Sequence, residues 1–204
     1  MKENRKKLVY LVQLALLTAI IVVMAFTPLG YLKIGLLSIT FLTIPVIIGA
    51  VAMGPTAGAI LGGVFGITSL IQCFGADAFG ATLLSINPFY TGIVCIIPRV
   101  LMGLLCGWIF RGLARIDKTK IVSYVVAGLS GALLNTIFFM SSLILLFGRT
   151  DYIREIWNTI APGTNVLMFV VAFVGVNGLV EAIVCGSVGA LISKAVCRFA
   201  KKNV

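Results

Sequence analysis

The sequence predicts an all-α, polytopic membrane protein: one compact bundle of six transmembrane helices, formed as a single domain by residues 1–204. Three observations lead there. The chain is 60% hydrophobic and only 11% charged, against roughly 25% charged residues in a soluble domain. Several apolar runs exceed the roughly 18 residues that mark a membrane span. The basic residues gather in alternate connections, as a series of membrane crossings requires.

The elements follow in order. A first helix is expected over about 8–26. The opening "MKENRKK" and the apolar run after it resemble the charged and apolar parts of a signal peptide. The run from Leu8 to Phe26 is long enough to span, however, and no small-residue cleavage site of the usual kind follows, so the segment reads as a retained helix. The turn-rich "TPLGYLKIG" ends it. A second helix is expected over about 37–53, stopped by Gly54-Pro55. The others are expected over about 56–73, 89–112, 121–147 and 165–197. The connections "FGADAFGATLLSINP" and "GRTDYIREIWNTIAPGT" leave the apolar pattern.

Charge orients the bundle. Six crossings put both termini on one side, which collects Lys2, Arg5, Lys6, Lys7, Arg111, Arg115, Lys118, Lys120, Lys194, Arg198, Lys201 and Lys202. The other side has Lys33, Arg149 and Arg154. Short basic loops stay in the cytoplasm, so both termini are expected there. The net charge of +10 then reflects topology rather than nucleic-acid binding. The elaborate connections, about 27–36, 74–88 and 148–164, face outward and suggest capture of something from outside.

Several functions are poorly supported. The chain has no histidine, the commonest general base and metal ligand. It has no paired carboxylates and no serine or cysteine nucleophile motif, so an intramembrane enzyme lacks its parts. Cys73, Cys95, Cys106, Cys185 and Cys197 have no metal spacing and read as small hydrophobes in helix packing; no metal or cofactor is expected. No Walker sequence is present, which excludes P-loop ATP binding. A self-sufficient ion-coupled transporter would be expected to show an inverted repeat or a run of intramembrane carboxylates.

Two small-residue patterns concern packing. Gly54, Gly58, Gly62 and Gly66 recur every fourth residue, which predicts a helix face held closely by a neighbour. Ala15 and Ala19 share a face of the first helix and serve either internal packing or a partner.

The polar residues of the spans are Gln13, Gln72, Asn87, Arg99, Asn135, Asn177 and Glu181. At about 1.5 Å per residue, Arg99 lies roughly 15 Å into its helix, with Asn135 and Asn177 at a similar depth. A charge there costs at least about 2.5–3.5 kcal/mol, so it must face the interior and a partner. Two readings stand. Arg99 pairs with Glu181, or it faces a cavity and holds an anionic ligand group, for which its fork suits a carboxylate; both can hold in turn, with Glu181 keeping Arg99 satisfied until the ligand arrives.

Three stretches carry a resemblance: "MAFTPLGYLKIGLLSITFLTIPVIIGA" (24–50), "GPTAGAILGGVFGITSLIQ" (54–72) and "NPFYTGIVCIIPRVLMGLLCG" (87–107). With six short helices and the Ala15–Ala19 pair, they resemble the substrate-binding S components of energy-coupling factor (ECF) vitamin transporters, and the pantothenate type above its riboflavin and folate relatives. The resemblance implies a multi-pass protein of the bacterial plasma membrane that captures a vitamin from outside. It implies delivery by a separate energising module, a scaffold membrane subunit with two ATPases. Ala15 and Ala19 would meet the scaffold, and the loop at 27–36, with Pro28, Gly30, Tyr31 and Gly35, would act as a lid. Pantothenate is an anion with hydroxyls and an amide. Arg99 would meet its charge, and Gln72, Asn87, Tyr90, Asn135, Asn177, Glu181 and Tyr31 would complete the site.

Overall fold

The computed structural model describes all residues except 1, 29, 35, 36, 118–120, 203 and 204; it also leaves undescribed the side chains of 2, 32–39, 176, 177 and 197–202. Lys118, Lys120 and Gly35, and the side chains of Lys33 and Asn177, on which expectations rested, thus lie outside what is described. The order is α1 (Lys2–Ala25), β1 (Tyr31–Ile34), β2 (Leu37–Thr40), α2 (Thr43–Ala52), α3 (Pro55–Gln72), α4 (Ala78–Ile86), α5 (Pro88–Leu113), α6 (Ile121–Phe147), α7 (Asp151–Ile160) and α8 (Val166–Lys202). Among the described residues, five helices are long and apolar enough to cross a membrane.

The helical bundle is as expected, with three corrections. The second helix does not begin near 37. Residues 37–40 pair antiparallel with 31–34, Tyr31 opposite Thr40 and Ile34 opposite Leu37. Ile34, Ile39 and Thr40 are β-branched and suit a pleat, and an apolar run alone cannot separate strand from helix. The helix proper starts at Thr43, with Pro45 in its first turn, where a missing N–H costs nothing. Its ten residues rise about 15 Å, half the hydrocarbon thickness. The second correction concerns the connections at 74–88 and 148–164, which fold as α4 and α7. Asp77 caps α4 by accepting from the Gly80 N–H at 2.9 Å, as an N-cap should. The third is a break in the last helix at Gly175, whose φ of 45° and ψ of −137° are non-helical.

α3 and α5 are the closest pair, and glycine is the reason. A Cβ on Gly66 would lie 2.7 Å from Ile96 Cα, and one on Gly107 would lie 2.6 Å from Pro55 Cα. Gly58 and Gly103 face each other's backbones, and Gly62 faces the Arg99 carbonyl. The stripe read from the sequence is therefore an internal seam. Without a hydrophobic drive between helices in lipid, such close approach supplies the packing energy.

Three apolar clusters fill the bundle. Phe79, Phe147, Ile153, Phe169 and Phe173 pack at the end that carries α4 and α7, with Trp157 stacked on Phe169 at 4.7 Å. Ile21, Leu42, Leu61, Phe65 and Met102 fill the middle. Ile47, Ala50, Cys106 and Ala127 fill the opposite end. α1 joins this packing mainly through its C-terminal part, where Ile21 and Ala25 are buried; only 11% of its apolar window is buried. Gln72 of α3 fastens its end by donating to the Ala25 carbonyl.

Gly62→Ala should therefore destabilise the fold by about 1–3 kcal/mol, the usual cost of overpacking, because the added carbon falls 2.8 Å from the Arg99 carbonyl carbon. Gly92→Ala, with nothing within 4 Å, should leave stability unchanged or slightly raised. Thermal unfolding of both variants in detergent checks the contrast.

Candidate functional site

Pro98 stands inside α5. It has no N–H, so the carbonyl four residues earlier, that of Val94, receives no helical bond. The Arg99 guanidinium takes that place: Nη1 donates to the Val94 oxygen at 2.6 Å. Its remaining surface lies between two rings, with Cζ 5.4 Å from the Phe65 centroid and 4.9 Å from that of Phe139. Both distances suit a cation–π contact. Arg99 is 9% exposed, and its Nε has no hydrogen-bond partner.

Glu181 is also buried, on α8. Its carboxylate accepts from Asn135 Nδ2 at 3.2 Å and from the backbone of Thr40. The Thr40 contact ties the hairpin to α8, and Cys185 adds to it through Thr43 and the Thr40 carbonyl. Among the described residues the one ion pair is Lys7–Glu3. Arg99 and Glu181 share a cavity, and no ion pair joins them in this structure.

That cavity runs from α4 to the middle of the bundle. Tyr31, Gln72, Arg99, Asn135 and Glu181 line it, five of the residues expected from sequence. Three buried polar side-chain atoms without a partner are found among the described residues, and two of them, Arg99 Nε and Asn135 Oδ1, belong to this wall. Buried polar atoms are nearly always satisfied, so this wall offers one free donor and one free acceptor. Tyr31 joins from β1, its hydroxyl 3.0 Å from Ser69 Oγ. Burial pushes its phenol up to about 12, so it stays protonated at neutral pH. The cavity volume is about 130 Å³.

Two expected residues are elsewhere. Asn87 is the N-cap of α5, its Oδ1 accepting from the Tyr90 N–H at 3.1 Å. Tyr90 is exposed and meets Phe147 edge-on at 6.2 Å. Neither lines the cavity, because the cap turns Asn87 onto its own helix. The Asn177 side chain is outside the described set, although its neighbour Gly178 lines the wall. Sequence reasoning missed Thr40, Ser69, Asp77, Thr91 and Thr136, small polar groups without a pattern of their own. It also treated Cys73 and Cys95 as packing, whereas both line the cavity with sulfurs 3.8 Å apart. Ala15 and Ala19 are both exposed on α1, so internal packing does not account for them.

The fold and the cavity define a membrane-embedded binding protein for a small polar molecule. The family described as ECF transporter, substrate-specific component, matches residues 9–193. The chain belongs to this family: it is the substrate-specific component of an ECF transporter, a multi-pass protein of the bacterial plasma membrane that associates with an ECF module. It is 29% identical over 192 residues to Pantothenate transporter PanT of Leuconostoc mesenteroides subsp. mesenteroides, covering 90% of this chain and 88% of that one. It is 30% identical over 122 residues to Pantothenic acid transporter PanT of Lactococcus lactis subsp. cremoris, covering 54% of this chain and 59% of that one.

Pro98→Ala should restore a helical N–H to the Val94 carbonyl and free the Arg99 guanidinium to reorient. Affinity for an anionic ligand should fall about tenfold, the scale of one charged hydrogen bond, while thermal stability holds or rises. Titration calorimetry beside a thermal melt reads both.

Proposed function

We propose that the chain captures pantothenate from outside the cell for uptake by a separate ATP-driven module. One observation carries the ligand: a buried guanidinium without a carboxylate partner, in a cavity that also offers an unsatisfied acceptor. Pantothenate has a carboxylate for Arg99. It has hydroxyls and an amide for Asn135, Glu181, Tyr31 and Gln72. Riboflavin is larger, flat and uncharged, and would leave the Arg99 guanidinium without an anion. The names of both relatives agree with this choice.

Delivery follows from the family. The partners are a scaffold membrane subunit and two ATPases, and the exposed Ala15–Ala19 face is the surface for the scaffold. Small residues there let another helix come close. Both termini lie in the cytoplasm, which faces the cavity outward, and Tyr31 and Thr40 of the paired strands close part of its wall.

A panel of labelled vitamins on purified protein tests the ligand. Pantothenate should bind best, and Arg99→Ala should weaken it by about 100-fold, since an ionised partner contributes about 1.5–3 kcal/mol. An uncharged analogue such as pantothenol should lose far less. Equal losses for both would make Arg99 structural, and preference for riboflavin would overturn the assignment. For docking, Ala15→Trp and Ala19→Trp should abolish uptake in reconstituted vesicles while pantothenate binding is retained. Loss of binding would move this face into the fold.

A further inference from the structure

Cys73 follows the last turn of α3, and Cys95 lies one turn from Arg99 on α5. Both are free thiols, buried at 5% and 6% exposed, and both line the cavity. Their sulfurs are 3.8 Å apart, and the Cys73 thiol also donates to the Ser69 carbonyl at 3.3 Å. A disulfide holds its sulfurs about 2.05 Å apart, so a shift of less than 2 Å joins them. Cys106 and Cys185 differ: their partners are the Ala127 carbonyl in one case, and Thr43 and the Thr40 carbonyl in the other.

We propose that Cys73 and Cys95 form a dithiol modification site in the cavity wall, which a small organic disulfide converts into an α3–α5 cross-link that weakens ligand binding. One cysteine thiolate attacks a reagent sulfur. The reagent S–S bond breaks, a mixed disulfide forms, and the first reagent thiolate leaves. The second cysteine, as thiolate, attacks the protein sulfur of that mixed disulfide and releases the second reagent thiolate. The two cysteines together lose two protons and two electrons; the reagent disulfide gains both pairs and becomes two thiols.

The consequence for the cavity follows from position. Joining the sulfurs removes the bond to the Ser69 carbonyl and draws the end of α3 toward α5. Gln72 is the next residue to Cys73, and Ser69 holds the Tyr31 hydroxyl. On α5, Cys95 sits four residues before Arg99, on the same face. The cross-link therefore pulls on three ligand-facing groups at once. A ligand in the cavity shields both thiols.

The chemical half of this proposal stands alone, whereas its functional half rests on the pantothenate reading. The test treats the purified full-length protein with bis(2-hydroxyethyl) disulfide, then digests it for mass spectrometry and titrates pantothenate. We expect a peptide joining Cys73 to Cys95, reversed by dithiothreitol and formed more slowly with pantothenate bound. The pantothenate Kd should rise about tenfold on cross-linking, which corresponds to about 1.4 kcal/mol, and return on reduction. Cys73→Ser and Cys95→Ser should form no cross-link, because the remaining cysteine stops at the mixed disulfide with the reagent. Separate reagent adducts on the two cysteines, unmodified thiols at both, or a cross-link that leaves the Kd unchanged would each overturn the proposal. A reduced protein that binds no pantothenate overturns the functional half with the ligand reading, and the cross-link still decides the site.

Discussion

Burying a guanidinium in the middle of an apolar bundle is the constraint around which this protein is organised. A charge at that depth is costly, and the chain offsets the cost with three local devices. Pro98 frees a carbonyl on the same helix, and Arg99 Nη1 occupies it at 2.6 Å. Phe65 and Phe139 cover the guanidinium with their ring faces. The glycine seam between α3 and α5 brings Phe65 near enough to do so, since Gly62 and Gly66 allow α3 to lie against the backbone at Arg99 and Cys95. None of these devices is a carboxylate, so the positive charge is held without being neutralised. The arrangement is a scaffold for a cation that keeps its capacity to bind.

Glu181 follows a parallel logic. It is held by Asn135 and by the backbone of Thr40 rather than by Arg99. Thr40 ends the hairpin, so the hairpin, α6 and α8 meet at one carboxylate. Asn135 spends its amide nitrogen on Glu181 and keeps its oxygen free. One wall of the cavity is thus anchored by Arg99 on α5 and the other by Glu181 on α8.

Much of this was legible in the sequence. Hydropathy gave the bundle, the four-residue glycine period gave the seam, and depth counting brought Arg99, Asn135 and Asn177 to one level. The rest was hidden for identifiable reasons. The run from 37 to 53 is apolar throughout, so nothing in its pattern marks the change from strand to helix at 41–42. Asn87 is as polar as Asn135, but it precedes Pro88 and is committed to a cap, which the Asn-Pro pair itself could have indicated. Pro98 drew no reading from the sequence, because its meaning lies in its combination with Arg99. Cys73 and Cys95 are 22 positions apart, and only the α3–α5 packing makes them neighbours.

The loose attachment of α1 has a consequence of its own. Leu8, Leu11, Val12, Leu16 and Val23 are exposed along it, and in a bilayer lipid tails already cover them. A protein surface that replaces those tails gains almost no hydrophobic free energy, because one apolar neighbour is exchanged for another. A partner helix docking at Ala15 and Ala19, as proposed, would be held mainly by close packing rather than by apolar burial. The interior of the bundle is already locked by glycine against backbone, so such a contact would leave its core unaltered.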